Sequence, residues 1–160
     1  MRGLIQGRQL LISTLIDYAA EFHGDTEIVT KTVEGPIHRY TYRDSHSRAK
    51  CMAKALAGFG VKLGDRIGTL AWNTHRHFEV YYATSGMGSI CHTLNPRLFA
   101  EQLTYIVNHA EDKFLFVDSN LVPLVEKLAP SFESVEGYIV MTDEETMPET
   151  SLPNAHCYET

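Results

Sequence analysis

Hydrophobic residues along this chain keep to one spacing for a stretch and then switch. In residues 10–22, Leu11, Leu15, Tyr18, Ala19 and Phe22 recur at the helical period, and Gly24-Asp25 ends the run. Glu27–Thr32 and His38–Tyr42 are rich in Val, Ile, Thr and Tyr, with Glu34-Gly35-Pro36 between them, a pattern that predicts a β-hairpin. Thr41 with Asp44 three positions on predicts a capped helix start. Ala49, Met52, Ala53, Leu56 and Phe59 carry that helix's apolar stripe, and Gly60 suits the left-handed residue after its end.

Beyond Gly64-Asp65 the alternation becomes regular. Short apolar strands at 66–71, 89–93, 113–117 and 137–141 are separated by helical patterns near 75–86, 99–110 and 119–129. The first of these helices shows Phe78, Tyr81, Tyr82 and Ser85 on one side; the second shows Leu103, Ile106, Val107 and Ala110; the third shows Leu121, Leu124, Val125 and Leu128. Nearly continuous apolar strands between amphipathic helices imply βαβ units. The expected fold is α/β: an open, mostly parallel sheet with helices on both faces, plus an N-terminal helix and β-hairpin. The chain divides into a helix–hairpin–helix section (1–60), a βαβ region (61–141) and a polar connection (142–160). His156-Cys157-Tyr158-Glu159-Thr160 reads as a helix that is opened and not completed, which suggests a truncated or proteolytic piece. Such a piece would leave an apolar face or an unpaired strand edge.

Composition narrows the function classes. The chain has 160 residues, is 44% hydrophobic and carries a net charge of −6, which suits one soluble domain without a basic stripe for nucleic acid. The acidic Asp143-Glu144-Glu145 and Glu149 read as a solvated loop. Cys51, Cys91 and Cys157 are odd in number and lack a CxxC pair, which argues against a disulfide framework or a structural zinc site; Cys51 and Cys91 read as small core residues. No apolar run is long enough to span a bilayer, and Leu10–Ile16 makes a poor signal peptide. The reducing cytoplasm is the simplest compartment.

Candidate chemistry is sparse. Gly58-x-Gly60 and Gly86-x-Gly88 continue into neither a dinucleotide fingerprint nor a Walker loop, so close packing and tight turns explain them. No HExxH or GxSxG occurs, and Cys91-His92 fall on opposite faces of a strand, so no catalytic or metal-binding residue is assigned. Trp72-Asn73-Thr74 and Asn95-Pro96-Arg97 stand just past two strand ends, where open parallel sheets bind ligands. Trp72, Asn73, Asn95 and Arg97 are therefore the candidate substrate-binding residues. Local hydrogen bonding is the plainer alternative: Asn73 or Thr74 capping a helix, and Asn95 ordering the turn before Pro96.

Several segments resemble the adenylate-forming superfamily. Tyr40-Thr41-Tyr42-Arg43-Asp44 resembles its Tyr/Leu-Thr-Tyr-x-Glu/Asp-Leu opening, with Ser45 in place of the usual apolar residue. Gly60-Val61-Lys62-Leu63-Gly64-Asp65-Arg66-Ile67 is similar to its Gly-Val-x-x-Gly-Asp-Arg-Val link. Leu70-Ala71-Trp72-Asn73, the run from Gly88 through Asn95-Pro96-Arg97-Leu98, and Gln102–Asp112 resemble the medium- and long-chain fatty-acyl-CoA synthetases in particular. Phe99 and Ala100 depart from the serine or threonine cap and proline common there. The resemblance implies the N-terminal portion of an AMP-binding (adenylation) domain, hence an incomplete adenylation-domain fold.

It also implies an enzyme that, in full, turns a fatty acid, ATP and CoA into acyl-CoA, AMP and pyrophosphate, with Mg2+ shielding the phosphates. The phosphate loop, ribose-binding aspartate and catalytic lysine of such enzymes lie downstream of the resembling stretch, so this chain alone is expected to be an inactive scaffold with no cofactor bound. Whether Leu4–Tyr18 forms a homodimer contact stays open, as does acyl-chain length. The alternative reading is a stand-alone flavodoxin-like α/β binding or interaction module.

Overall fold

The computed structural model describes Leu4 and residues 7–160. Ile5 and Gln6, part of the segment considered for a dimer contact, lie outside the described residues. Helix α1 (Ser13–Phe22) leads into the antiparallel hairpin of β1 (Glu27–Lys31) and β2 (Ile37–Thr41), and α2 (Tyr42–Gly58) follows. Then come β3 (Arg66–Leu70), α3 (His75–Met87), β4 (Ile90–Leu94), α4 (Ala100–Ala110), β5 (Asp112–Asp118), α5 (Val122–Leu128), β6 (Gly137–Met141) and β7 (Ala155–Cys157). The last five strands form one parallel sheet in the order β4-β3-β5-β6-β7.

Both ends of α2 follow from its sequence. Thr41 Oγ1 accepts from the Asp44 N–H at 3.3 Å while Asp44 Oδ2 accepts from the Thr41 N–H at 2.9 Å, so each side chain satisfies an orphan donor of the first turn. At the other end Gly60 takes φ +81°, which a side chain resists. The Val61 N–H then reaches the Leu56 carbonyl and the Gly60 N–H the Ala57 carbonyl, closing the helix, and Val61 packs with Leu56 in the core.

Strand alternation sorts the core into two layers. Phe114 and Phe116 of β5 and Ile139 and Met141 of β6 pack with Met52 and Leu56 of α2 and with Val80 and Ala83 of α3. Leu115 and Val117, with Tyr138 and Val140, pack on the other side against Leu103 and Val107 of α4 and Val122, Val125 and Leu128 of α5. The expected helices on both faces are thus α2 and α3 on one side, α4 and α5 on the other.

Four expectations need correction. The stripe Leu11, Leu15, Tyr18 and Phe22 is exposed, and α1 docks through Ile16 and Ala20 instead. Helical period marks a candidate face but does not decide which face docks. In α3 the buried face is Glu79, Val80, Ala83 and Thr84, not Phe78, Tyr81, Tyr82 and Ser85, because a buried ionic network draws the polar side inward. Cys51 is exposed, whereas Cys91 packs against the core.

The last segment opens no helix: Ala155–Cys157 pairs in parallel with β6 as β7, and Leu152 and Tyr158 are buried. Residues too few and too polar to show a strand period find their partner only through the sheet edge. At the opposite edge β4 has no strand beyond it among the described residues, and Ile90 there is half exposed.

Ions hold the tail in place. Glu79, fully buried on α3, accepts from Arg48 Nε at 2.8 Å and from the Tyr158 hydroxyl at 2.7 Å. Arg48 also grips both oxygens of Glu159 at 2.9 and 3.0 Å. Arg76 donates to Glu159 at 2.9 Å, to Glu34 of the hairpin turn at 2.7 Å and to the Met141 carbonyl at 3.2 Å. Burial pushes the Tyr158 hydroxyl well above its usual range, and the Glu79 carboxylate adds to the push, so the tyrosine stays a donor.

Candidate functional site

The strand order places the site. From β3 the chain turns one way, through α3, to β4; it then returns through α4 to β5 on the other side of β3. The direction of winding reverses between β3 and β5, and such a reversal opens a crevice beyond the carboxyl ends of the strands. Leu70 lies level with Leu94 and with Val117, so the loops after β3, β4 and β5 leave the sheet side by side.

Trp72, Asn95 and Arg97 meet at this rim. The Arg97 guanidinium carbon stands 6.0 Å from the centre of the Trp72 indole, within cation–π range. Asn95 Oδ1 accepts from the Arg97 N–H at 3.0 Å, and the Leu98 N–H returns to the Asn95 carbonyl at 3.1 Å. Asn95 therefore orders the turn, as the plainer reading has it, and the turn is what delivers Arg97 to the tryptophan. Asn73 is exposed on the same loop as Trp72. Thr74 is the N-cap of α3 by its backbone, but its hydroxyl makes no capping bond and is buried without a partner among the described residues.

Two residues that no motif singles out fix the Trp72 loop. Asp118, at the end of β5 and 1% exposed, accepts from the Trp72 N–H at 2.6 Å, bridging the reversal point. Burial pushes its carboxyl up to about 6, against the pull of that N–H. His77 Nδ1 stands 3.1 Å from the Trp72 carbonyl and Nε2 3.0 Å from the Thr69 hydroxyl. A neutral ring that donates from Nδ1 and accepts at Nε2 satisfies both, and burial holds its pKa below the usual histidine value. The only sequence signal for Asp118 was an acid closing an apolar strand; for His77 there was none, since its partners lie across a turn.

Chemically, the rim offers a half-exposed indole, a guanidinium beside it and a buried carboxyl behind. These can stack a planar group and orient an anion. Among the described residues no three His, Cys, Asp or Glu side chains gather closely enough to hold a metal ion.

The architecture is an open α/β sheet with loops collected at its winding reversal, the place where sheets of this kind bind ligands. The chain belongs to the AMP-binding enzyme family, whose pattern matches residues 16–159. It is 43% identical over 159 residues to the 3-methylmercaptopropionyl-CoA ligase of Ruegeria lacuscaerulensis, covering 99% of this chain and 30% of that protein. It is 39% identical over 159 residues to the medium-chain-fatty-acid–CoA ligase of Ectopseudomonas oleovorans, covering 99% of this chain and 29% of the relative. Among solved structures, the coronafacic acid ligase of Pectobacterium brasiliense superposes with a TM-score of 0.74 at 18% identity, over 91% of this chain and 28% of that one. The chain therefore spans about 30% of the length of the curated relatives it matches.

Proposed function

We propose that these residues are the N-terminal part of the adenylation domain of an AMP-forming acyl-CoA ligase acting on a medium- or long-chain fatty acid. The whole protein would join the carboxylate to ATP, releasing pyrophosphate, and pass the acyl group to CoA with release of AMP. The observation that carries this reading is the match along nearly the entire chain to CoA ligases at 39–43% identity, a medium-chain-fatty-acid–CoA ligase at 39% among them. A free-standing flavodoxin-like module would have no reason to keep that correspondence from end to end.

Within such an enzyme the chain acts as scaffold. Its sheet and helices present the Trp72–Arg97 rim, and Trp72, Asn73, Asn95 and Arg97 border the substrate side. Charge on a polyphosphate must be met by backbone donors, cations and Mg2+. On this reading Mg2+ and the reacting groups are assigned to other parts of the ligase. Free, widely spaced cysteines suit the reducing cytoplasm. No described helix is long and apolar enough to cross a membrane. The exposed Leu15, Tyr18 and Phe22 of α1 are where a second copy would sit in a homodimer.

The test is product analysis. Incubating the full ligase with fatty acids of graded length, ATP and CoA should yield acyl-CoA and AMP in equal amounts. Formation of ADP, or turnover without a carboxylate, would contradict the proposal. Within that enzyme, Arg97→Ala should raise KM for the carboxylate severalfold while the fold, read by circular dichroism, is unchanged.

A further inference from the structure

The hairpin stands outside the five-stranded sheet, and it meets α3 through two imidazole rings. His38 of β2 and His75 of α3 stack with ring centres 3.9 Å apart and planes 16° from parallel. Tyr40 closes the arrangement edge-on, 4.9 Å from His38 and 5.7 Å from His75. His75 is 3% and Tyr40 8% exposed. Within this nest His38 Nε2 and His75 Nδ1 are buried without a hydrogen-bond partner among the described residues, and the Tyr40 hydroxyl lies beside Ser45 of α2 and Glu79.

The surroundings resist a positive charge on His75. Arg76 and Glu79 face the nest from α3, Ser45 and Arg48 from α2, and His38 and Tyr40 from the hairpin, whose turn residue Glu34 reaches Arg76. Opposite His38 and Tyr40 on β1 stand Thr30 and Ile28, with Glu27 and Lys31 at the strand ends. Of the acids, Glu34 is held by Arg76, Glu79 by Arg48 and Tyr158, and Glu27 by Arg39. No carboxylate stands within ion-pair distance of either ring among the described residues. His75 is also the first residue of its helix, where the peptide dipoles present their positive end.

We propose that the stacked His38–His75 pair is an acid-released latch that holds the β1–β2 hairpin against α3. With His75 neutral the rings stack and the hairpin stays docked. A proton on His75 would meet no carboxylate within ion-pair distance, so it is taken up only when the hairpin swings away and water reaches the ring.

The direction of the linkage follows. Burial, then the neighbouring His38, Arg76 and Arg48, push the docked ring down to about 3, against 6.5 for a free one. Docking is at full strength above the free value and is lost as pH falls from 6.5 towards 3. A proton bound only in the open state should raise the opening constant about 30-fold between about pH 7.5 and about pH 5.

Hydrogen exchange of the β1–β2 ladder amides in the protein, expressed as protection factors, tests this. The expected result is an opening constant about 30-fold larger at the lower pH, with the β3–β5 ladder unchanged. His75→Phe keeps a flat ring over His38 and removes the proton acceptor, so its hairpin protection should not change with pH. A flat response in the unsubstituted protein would overturn the latch, and so would the same slope in His75→Phe. If His75→Phe does not fold, histidine ring NMR of the unsubstituted protein decides. Titration of His75 with a midpoint near the free value while the hairpin stays protected would overturn it; absence of titration until the hairpin opens would support it.

Discussion

On the face under α4 and α5, Leu103, Val107, Val122, Val125 and Leu128 close over Leu70, Leu115, Val117 and Val140. The face under α2 and α3 has an apolar core of similar make but adds Arg48, Arg76, Glu79 and Glu159, linked through Tyr158 and Glu34. The difference lies in what each layer demands of its neighbours. Apolar burial is non-directional and tolerates small shifts. A buried carboxylate requires particular donors at particular distances, and it repays its desolvation only when all are present. The first face is a packing surface; the second is a joint, tying the hairpin turn, two helices, the end of β6 and the tail into one arrangement.

The largest expected effect breaks the joint. Glu79→Ala leaves the Arg48 guanidinium and the Tyr158 hydroxyl short of a partner and should cost about 4 kcal/mol, read as a lower urea midpoint at constant slope. Arg48→Met combined with Glu79→Leu removes both charges together and should cost less than Glu79→Ala alone. The reverse order would mean that the ions stabilise the fold rather than specify it.

A change on the other face tests steric fit instead. A methyl group on Gly68 would stand 2.7 Å from Leu115 Cδ1 and 2.9 Å from the Asp112 carboxylate that receives His92. Gly68→Ala should therefore cost about 2 kcal/mol through overpacking, by the same denaturation measurement. The smallest effect belongs to neither face: Thr41→Ala removes half of the α2 capping box and should cost about 1 kcal/mol. A loss larger than that of Gly68→Ala would mean that α2 depends on its cap more than on its packing.

The same contrast explains what could be read from the chain. Strands β3 to β6, the hairpin and both ends of α2 were legible, because each rests on local period or on residues three or four apart, as Thr41–Asp44 and Ala57–Gly60 do. The rim was half legible: Asn95-Pro96-Arg97 announces its own turn, and Trp72 sits two residues beyond the end of β3. Asp118 and His77 were not, since nothing near them in sequence signals that they hold the Trp72 backbone. The inward side of α3 was misread because Glu79 looks like a surface acid until Arg48 and Tyr158, remote in sequence, are placed beside it. The stripe on α1 misled in the opposite sense: its period is helical, but period does not say which partner covers the face, and Leu15, Tyr18 and Phe22 are exposed.

Isotope exchange between pyrophosphate and ATP, driven by a fatty acid, addresses the scaffold reading most directly. The full-length ligase should catalyse it, and the 160-residue chain, under the same conditions and folded by circular dichroism, should not. Exchange above background by the 160 residues alone would place the adenylating groups within them and contradict the assignment.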